Sequence, residues 1–217
     1  MRKALEIGGF VAAAVLIVFG VVAIAMGVDG RSTVQDSLKA EQIVGSEDMT
    51  PALIKKEAAD AGLSVSSLDI PTLAVAGKSI DTGGEARAFA QYLRIHALES
   101  SGGYVYAQMG RFLAANGDPK GTSDEALAVK GDDGKPIANA ARNTWVTATA
   151  LSTALNTSYM AEQLALFGIV IGIALLLAGI GFAVLAVGGT LRNPDPAFKI
   201  FGRKSPETTG ATPVPTA

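Results

Sequence analysis

Cysteine is absent from all 217 residues and histidine occurs once. The first absence removes disulfides, thiolate metal sites, iron–sulfur clusters and cysteine nucleophiles; the second removes most imidazole-based metal and triad chemistry. Charge is scarce too: charged residues make up 18% and aromatics 6%, against 49% hydrophobic and a mean hydropathy of +0.34. So much aliphatic side chain with so few charges is unusual for a soluble domain. With 18 basic and 20 acidic residues, net −2, there is no excess of positive charge for nucleic acid to meet.

The charges that exist avoid two long stretches. Ile7 to Val28 is a run of 22 residues of Ile, Val, Leu, Ala, Gly, Phe and Met. Leu164 to Leu191 is 28 residues without a charge, Thr190 being its one polar side chain. About 20 apolar residues span a bilayer as a helix, and the longer run spans with tilt or projects beyond the hydrocarbon. Helix is required because backbone in lipid must satisfy its own hydrogen bonds. A cleaved signal peptide competes for the first run, since Arg2 and Lys3 give a basic start and Ala23-Ile24-Ala25 a small-x-small site. Its apolar core exceeds the roughly 7–15 residues of a cleavable signal, which favours an anchor. No Asp, Glu, Lys, Arg or His lies inside either run, whereas carriers, proton relays and voltage sensors normally place one there.

Flanking charge predicts the orientation. Arg2 and Lys3 precede the first run and Arg192, Lys199, Arg203 and Lys204 follow the second, whereas residues 29–163 hold 12 basic and 17 acidic side chains. The positive-inside rule puts both termini in the cytoplasm and residues 29–163 outside. The expected architecture is mainly α: a transmembrane helical hairpin with a helical extracytoplasmic domain inserted between the two spans. Its parts are a cytoplasmic N-terminus (1–6), a first span (7–28), the outer domain (29–163), a second span (164–191) and a disordered cytoplasmic tail (192–217).

Start and stop signals divide the outer segment. Thr50-Pro51 and Gly62 bracket one helix, and Thr82-Gly-Gly-Glu85 forms a capping box for another that ends near Ser100 at Gly102-Gly103. Phe89, Leu93 and Ala97 keep one face of the latter apolar. Tyr104 to Ala115 reads as a further short helix, and Thr122-Ser-Asp-Glu125 as the cap of two more turns before Gly131. Ser64 to Ile80 reads as a loop with at most one short strand around Pro71. From Pro136, Ile137, Ala141, Trp145, Ala148, Ser152, Leu155 and Tyr159 recur at helical spacing and run unbroken into the second apolar stretch, as a rod with shorter helices along its Trp145 face. Five of the nine prolines fall after Asn193. There Phe198, Ile200 and Phe201 beside basic residues fit a membrane-surface patch, but an ordinary stop-transfer flank is the favoured reading, because such flanks follow from the insertion rule alone.

Small residues stripe both runs: Gly9, Ala13, Gly20, Ala23 and Gly27 in the first, and Ala165, Gly168, Gly172, Gly179, Ala183 and Ala186 in the second. Small side chains let membrane helices approach closely, so the stripes are expected to meet as an antiparallel hairpin or to form a seam between copies. Composition alone also produces such stripes where Ala and Gly are common. Chemistry is harder to find. His96 reads as a partly packed helix histidine with one hydrogen bond, because no Ser, Cys or carboxylate constellation converges on it in sequence. Asp132-Asp133-Gly134 lacks the ligand alternation of a calcium loop and reads as a solvated turn. Asn156-Thr-Ser158 matches a glycosylation acceptor inside an expected helix.

Thr82-Gly-Gly-Glu-Ala-Arg-Ala-Phe-Ala through His96, Ser101-Gly-Gly-Tyr104-Val-Tyr106-Ala, and Leu151-Ser-Thr-Ala-Leu-Asn-Thr-Ser-Tyr-Met-Ala entering the second run resemble a family of uncharacterised two-span membrane proteins of actinobacteria. The resemblance covers roughly residues 5 to 190 and implies topology, lineage and a bacterial plasma-membrane location, with no activity to carry over. Some proteins of this look are labelled ring-opening dioxygenases, but a two-histidine, one-carboxylate iron triad needs a histidine this chain lacks. The sequence thus leads to a non-enzymatic membrane protein with no catalytic, cofactor or metal residues. Its expected partners are lipid and another envelope protein. The alternative is a small accessory subunit or sensor coupling the outer domain to the basic tail, with Ser205, Thr208 and Thr209 as phosphorylation sites.

Overall fold

The computed structural model describes residues 2–188. It is mainly helical: α1 (Arg2–Ala40), α2 (Pro51–Asp60), α3 (Gly83–Ser100) and α4 (Ala140–Val187), with 3-10 turns at Val65–Ser67, Tyr106–Gln108 and Glu125–Leu127. Among the described residues there are isolated β-bridges but no strand. Two helices, α1 and α4, are long and apolar enough to cross a membrane. At 1.5 Å per residue they extend about 58 and 72 Å, well beyond a hydrocarbon core of about 30 Å. Helix α1 continues past Val28, the end of the uncharged run, because nothing there breaks it: the hydroxyls of Thr33 and Ser37 bond back to the carbonyls of Asp29 and Thr33, and the chain turns only at Gln42, with φ +53°.

Among the described residues, contacts divide the chain into two units, one made of the residues up to Ile24 with those from Val170 on, the other Ala25–Ile169. In the first, α1 and α4 pair antiparallel through their glycines. A Cβ on Gly20 would lie 2.7 Å from the Gly172 carbonyl oxygen, and one on Gly179 would lie 2.9 Å from the Ile17 nitrogen and 3.1 Å from the Ala13 carbonyl oxygen. Such backbone-to-backbone approach leaves no room for a side chain. Ala13 and Gly20 on α1, and Gly172, Gly179 and Ala186 on α4, recur every seven residues and are buried, the spacing of a left-handed helix pair. Large side chains cover the other faces and are mostly uncovered: Val18 is 60% exposed, Phe19 64%, Leu177 64% and Val184 64%.

In the second unit, caps fix the helix ends where the sequence places them. Thr50 accepts from the Leu53 amide at 3.3 Å with Pro51 at the first position, and Gly62 turns the chain at φ +74°. At α3 the capping box closes in both directions: the Glu85 amide donates to Thr82 Oγ1 at 3.3 Å and the Thr82 amide to Glu85 Oε2 at 3.0 Å. The core joins Leu38 of α1, Ile54 and Ala58 of α2, Val75 and Ile80 of the connection, Phe89, Tyr92 and Ile95 of α3, and Leu155 of α4. A second cluster packs Trp145 and Ala148 against Ala97 and Met109, with the Arg94 guanidinium 4.9 Å from the Trp145 ring centroid. Trp145, Ala148 and Leu155 of the expected α4 face are buried.

Residues 104–139 correct the sequence reading. Tyr104 to Ala115 is not a helix beyond the turn Tyr106–Gln108, and Thr122–Glu125 opens a single 3-10 turn capped by Asp124. The chain instead folds back on itself by backbone bonds, Phe112 with Thr122, Leu113 with Val129 and Ile137, and Ala115 with Leu127. Glycine permits this: a Cβ on Gly110 would sit 2.4 Å from Thr122 backbone, and one on Gly121, at φ +76°, 2.4 Å from the Phe112 carbonyl oxygen. Helix α4 likewise starts at Ala140 rather than Pro136, because Pro136 bridges Lys130 and Asn139 supplies the cap. Residues 64–80 hold a 3-10 turn and bridges in place of a strand.

The helix seam makes a discriminating prediction. Gly172→Val or Gly20→Val should lower stability in detergent by about 1–3 kcal/mol through overpacking, while Gly8→Ala and Gly181→Ala, where a Cβ meets nothing within 4 Å, should be neutral. Thermal unfolding of the four variants is the check.

Candidate functional site

The residues singled out in the sequence fall into three groups. Gly9, Ala13, Gly20, Gly27, Gly172 and Gly179 are buried, whereas Ala23, Gly168 and Ala183 are partly buried. Gly27 lies in the second unit, where a Cβ would sit 2.6 Å from the Ala165 carbonyl oxygen. Arg2 opens α1. Arg192, Lys199, Arg203, Lys204, the Phe198–Phe201 patch, and Ser205, Thr208 and Thr209 lie outside the described residues.

One charged side chain among the described residues is buried, Glu162 of α4 at 4% exposure. Its Oε2 accepts from the Gly83 amide at 2.7 Å and its Oε1 from Arg31 Nε at 3.0 Å. The first contact is a carboxylate on the opening amide of α3, where the helix dipole favours negative charge. Gly83 is obligatory there, since a Cβ would lie 2.6 Å from Glu162 Oε2 and 2.9 Å from the Tyr159 Cα. One carboxylate therefore joins α1, α3 and α4.

The chemically richest cluster surrounds His96, and it corrects the expectation of an isolated histidine. Asp48 stands in the connection between α1 and α2, Glu57 on α2, and His96 and Glu99 one turn apart on α3. Packing brings α2 against α3 through Ile54, Ala58, Tyr92 and Ile95. The Asp48 segment is held by backbone: Gly45 donates to Lys78 O at 2.9 Å, Val75 donates to Met49 O at 3.1 Å, and a Cβ on Gly45 would collide with the Val75 carbonyl. His96 Nε2 then lies 3.0 Å from Asp48 Oδ2 and 3.7 Å from Glu57 Oε2. Asp48 Oδ2 lies off the direction of an Nε2 hydrogen bond and Glu57 Oε2 lies beyond hydrogen-bond reach, so Nε2 makes none. Burial pushes the Glu99 carboxyl up from its ordinary value; His96 opposes that shift, and Glu57 and Asp48 add to it. Burial likewise raises the Tyr92 hydroxyl, which donates to Leu73 O at 3.2 Å.

No spacing in the sequence betrays this cluster, because its members come from three separate segments. The legible signal was weaker: a histidine on a helix whose neighbouring turn carries Glu99, with Asp48 just ahead of the Thr50 cap. Elsewhere in the second unit, a cavity of about 550 Å³ is lined by Ala114, Asn116, Asp118, Thr122 and Leu127, and brings no further titratable cluster together. Asp132–Gly134 is a turn, with the Lys135 amide donating to Asp133 Oδ1 at 3.0 Å.

Glu162→Ala should cost about 2–3 kcal/mol by stranding the Gly83 amide, and Glu162→Gln less because an acceptor remains. Arg31→Ala should cost under about 1 kcal/mol, since Arg31 is half-exposed. Denaturation of the full chain in detergent ranks the three. No family model, curated protein or solved structure matches this chain.

Proposed function

We propose that this is an integral plasma-membrane protein whose helical domain between the spans stands outside the cytoplasm and acts by binding or positioning a partner in the cell envelope, without catalysing a reaction. The observation that carries the reading is the uncovered apolar surface of α1 and α4. Val11, Val15, Val18, Phe19, Phe167, Val170, Leu177 and Val184 are each 48–64% exposed. Soluble proteins rarely expose contiguous apolar surface on this scale, whereas lipid covers it without cost. The charge asymmetry supports the orientation: basic residues flank the runs at 2–3 and 192–204, and the intervening segment is net acidic. Lineage within a two-span actinobacterial family is part of the same proposal.

Because the chain has no cysteine, topology can be read one engineered thiol at a time. Ser66→Cys and Ser123→Cys, both at exposed positions, should react with a membrane-impermeant maleimide on intact cells, and Thr216→Cys only after lysis. Labelling of Thr216→Cys on intact cells, or recovery of the chain in the soluble fraction, would overturn the orientation or the anchoring. For the binding role, gentle extraction of native membranes should yield a stoichiometric companion; a chain that runs alone contradicts it.

A further inference from the structure

Four buried side-chain polar atoms among the described residues have no hydrogen-bond partner, and three of them belong to one cluster: His96 Nε2, Asp48 Oδ1 and Glu99 Oε1. Buried polar atoms are nearly always paired, so three unpaired in one place require an explanation. A simple His96–Asp48 ion pair does not supply it, because such a pair would direct the Nε2 proton at the carboxylate. Glu57 adds a second carboxylate, and one ligand atom each from Asp48, Glu57 and His96 lies within 4.8 Å of the others.

We propose that Asp48, Glu57 and His96 form a binding site for one divalent first-row transition metal ion. Ligands bound at 2.0–2.2 Å around a four-coordinate ion stand about 3.3–3.6 Å apart. The observed Nε2 separations of 3.0 and 3.7 Å bracket that edge, so small side-chain rotations close the site. One imidazole and two carboxylates suit zinc, manganese or iron; calcium and magnesium prefer oxygen alone, and copper(I) prefers thiolate or thioether. The ligand side chains are 26%, 35% and 38% exposed, which leaves the remaining coordination positions to water. Glu99, one turn along α3, brings a further carboxylate to the same cluster, its buried Oε1 also without a hydrogen-bond partner. The ion would tie together the connection after α1, helix α2 and helix α3, the kind of staple that a chain without cysteine cannot obtain from disulfides.

The test uses the full chain in detergent, purified without a histidine tag, stripped with EDTA and titrated calorimetrically with zinc chloride and with manganese chloride. One equivalent of at least one metal should bind, and saturation should raise the thermal unfolding midpoint, since binding to the folded state alone stabilises it. His96→Gln and Glu57→Gln should each weaken binding by more than about tenfold and abolish the midpoint shift. Asp60→Asn, a neighbouring exposed carboxylate outside the cluster, should bind as the parent does. Because Glu57 is part-exposed on α2, its variant keeps the test open should His96→Gln fail to fold. Absence of one-to-one binding, unchanged affinity in Glu57→Gln, or calcium binding as tightly as zinc and manganese would each overturn the site.

Discussion

A carboxylate taken out of water is costly unless charge and hydrogen bonds replace its hydration, and the fold depends on how Glu162 is compensated. Its two oxygens take an amide of α3 and the guanidinium of α1, so one side chain of α4 fixes the relative positions of three helices. Its place in the chain matters as much. Glu162 stands two residues before the apolar run beginning at Leu164, and Arg31 three residues after the run ending at Val28. The pair thus closes at the edge of both runs. Any sliding of α4 by a turn would carry a charge into the apolar stretch or pull the carboxylate from the Gly83 amide, so the ion pair and the hydropathy boundary select the same register.

Between the helices of the first unit the constraint is steric. Lipid tails are as apolar as leucine, so helices in a bilayer gain little from burying leucine against each other and more from close backbone packing. The distribution of side chains follows that logic. Glycine and alanine occupy the seam, and valine, leucine and phenylalanine point away from it. In a water-soluble helix pair the sizes would be reversed, with large apolar residues inside. This inversion is stronger than hydropathy alone, because a signal sequence or a buried core helix also passes a hydropathy threshold without needing a matched glycine partner.

Helix ends and the helix face were legible because their causes are local. Thr50-Pro51, Thr82 with Glu85, and Gly102-Gly103 each act within four residues, so pattern and structure agree. The segment from Tyr104 to Asn139 was not, because its causes are non-local. Gly110 is there to let Thr122 approach, and Gly121 to let Phe112 and Asn139 approach. In one dimension these are only glycines between apolar residues, and helical spacing around them is coincidental. The His96 cluster was hidden for the same reason. Three segments must fold before Asp48 and Glu57 become its neighbours, and what could be read was a solitary histidine.

The irregular segment raises the question of what orders some 35 residues with so little to bury; Met109 and Ala128 are its only buried hydrophobic residues before Asn139. Apolar burial cannot hold it, since two side chains offset only a few of the residues fixed. Asn139, 2% exposed, provides the framework instead. Its side-chain amide donates to the carbonyls of Gly110 and Lys120, each at 3.1 Å, its backbone amide donates to Arg111 O at 2.9 Å, and its Oδ1 accepts from the Arg142 amide to begin α4. The residue that stops the loop and starts the helix also gathers the loop's two halves. Glu162 and Asn139 thus do the same work at different places: a buried polar side chain, fully bonded, fixes segments that hydrophobic contact leaves free to shift.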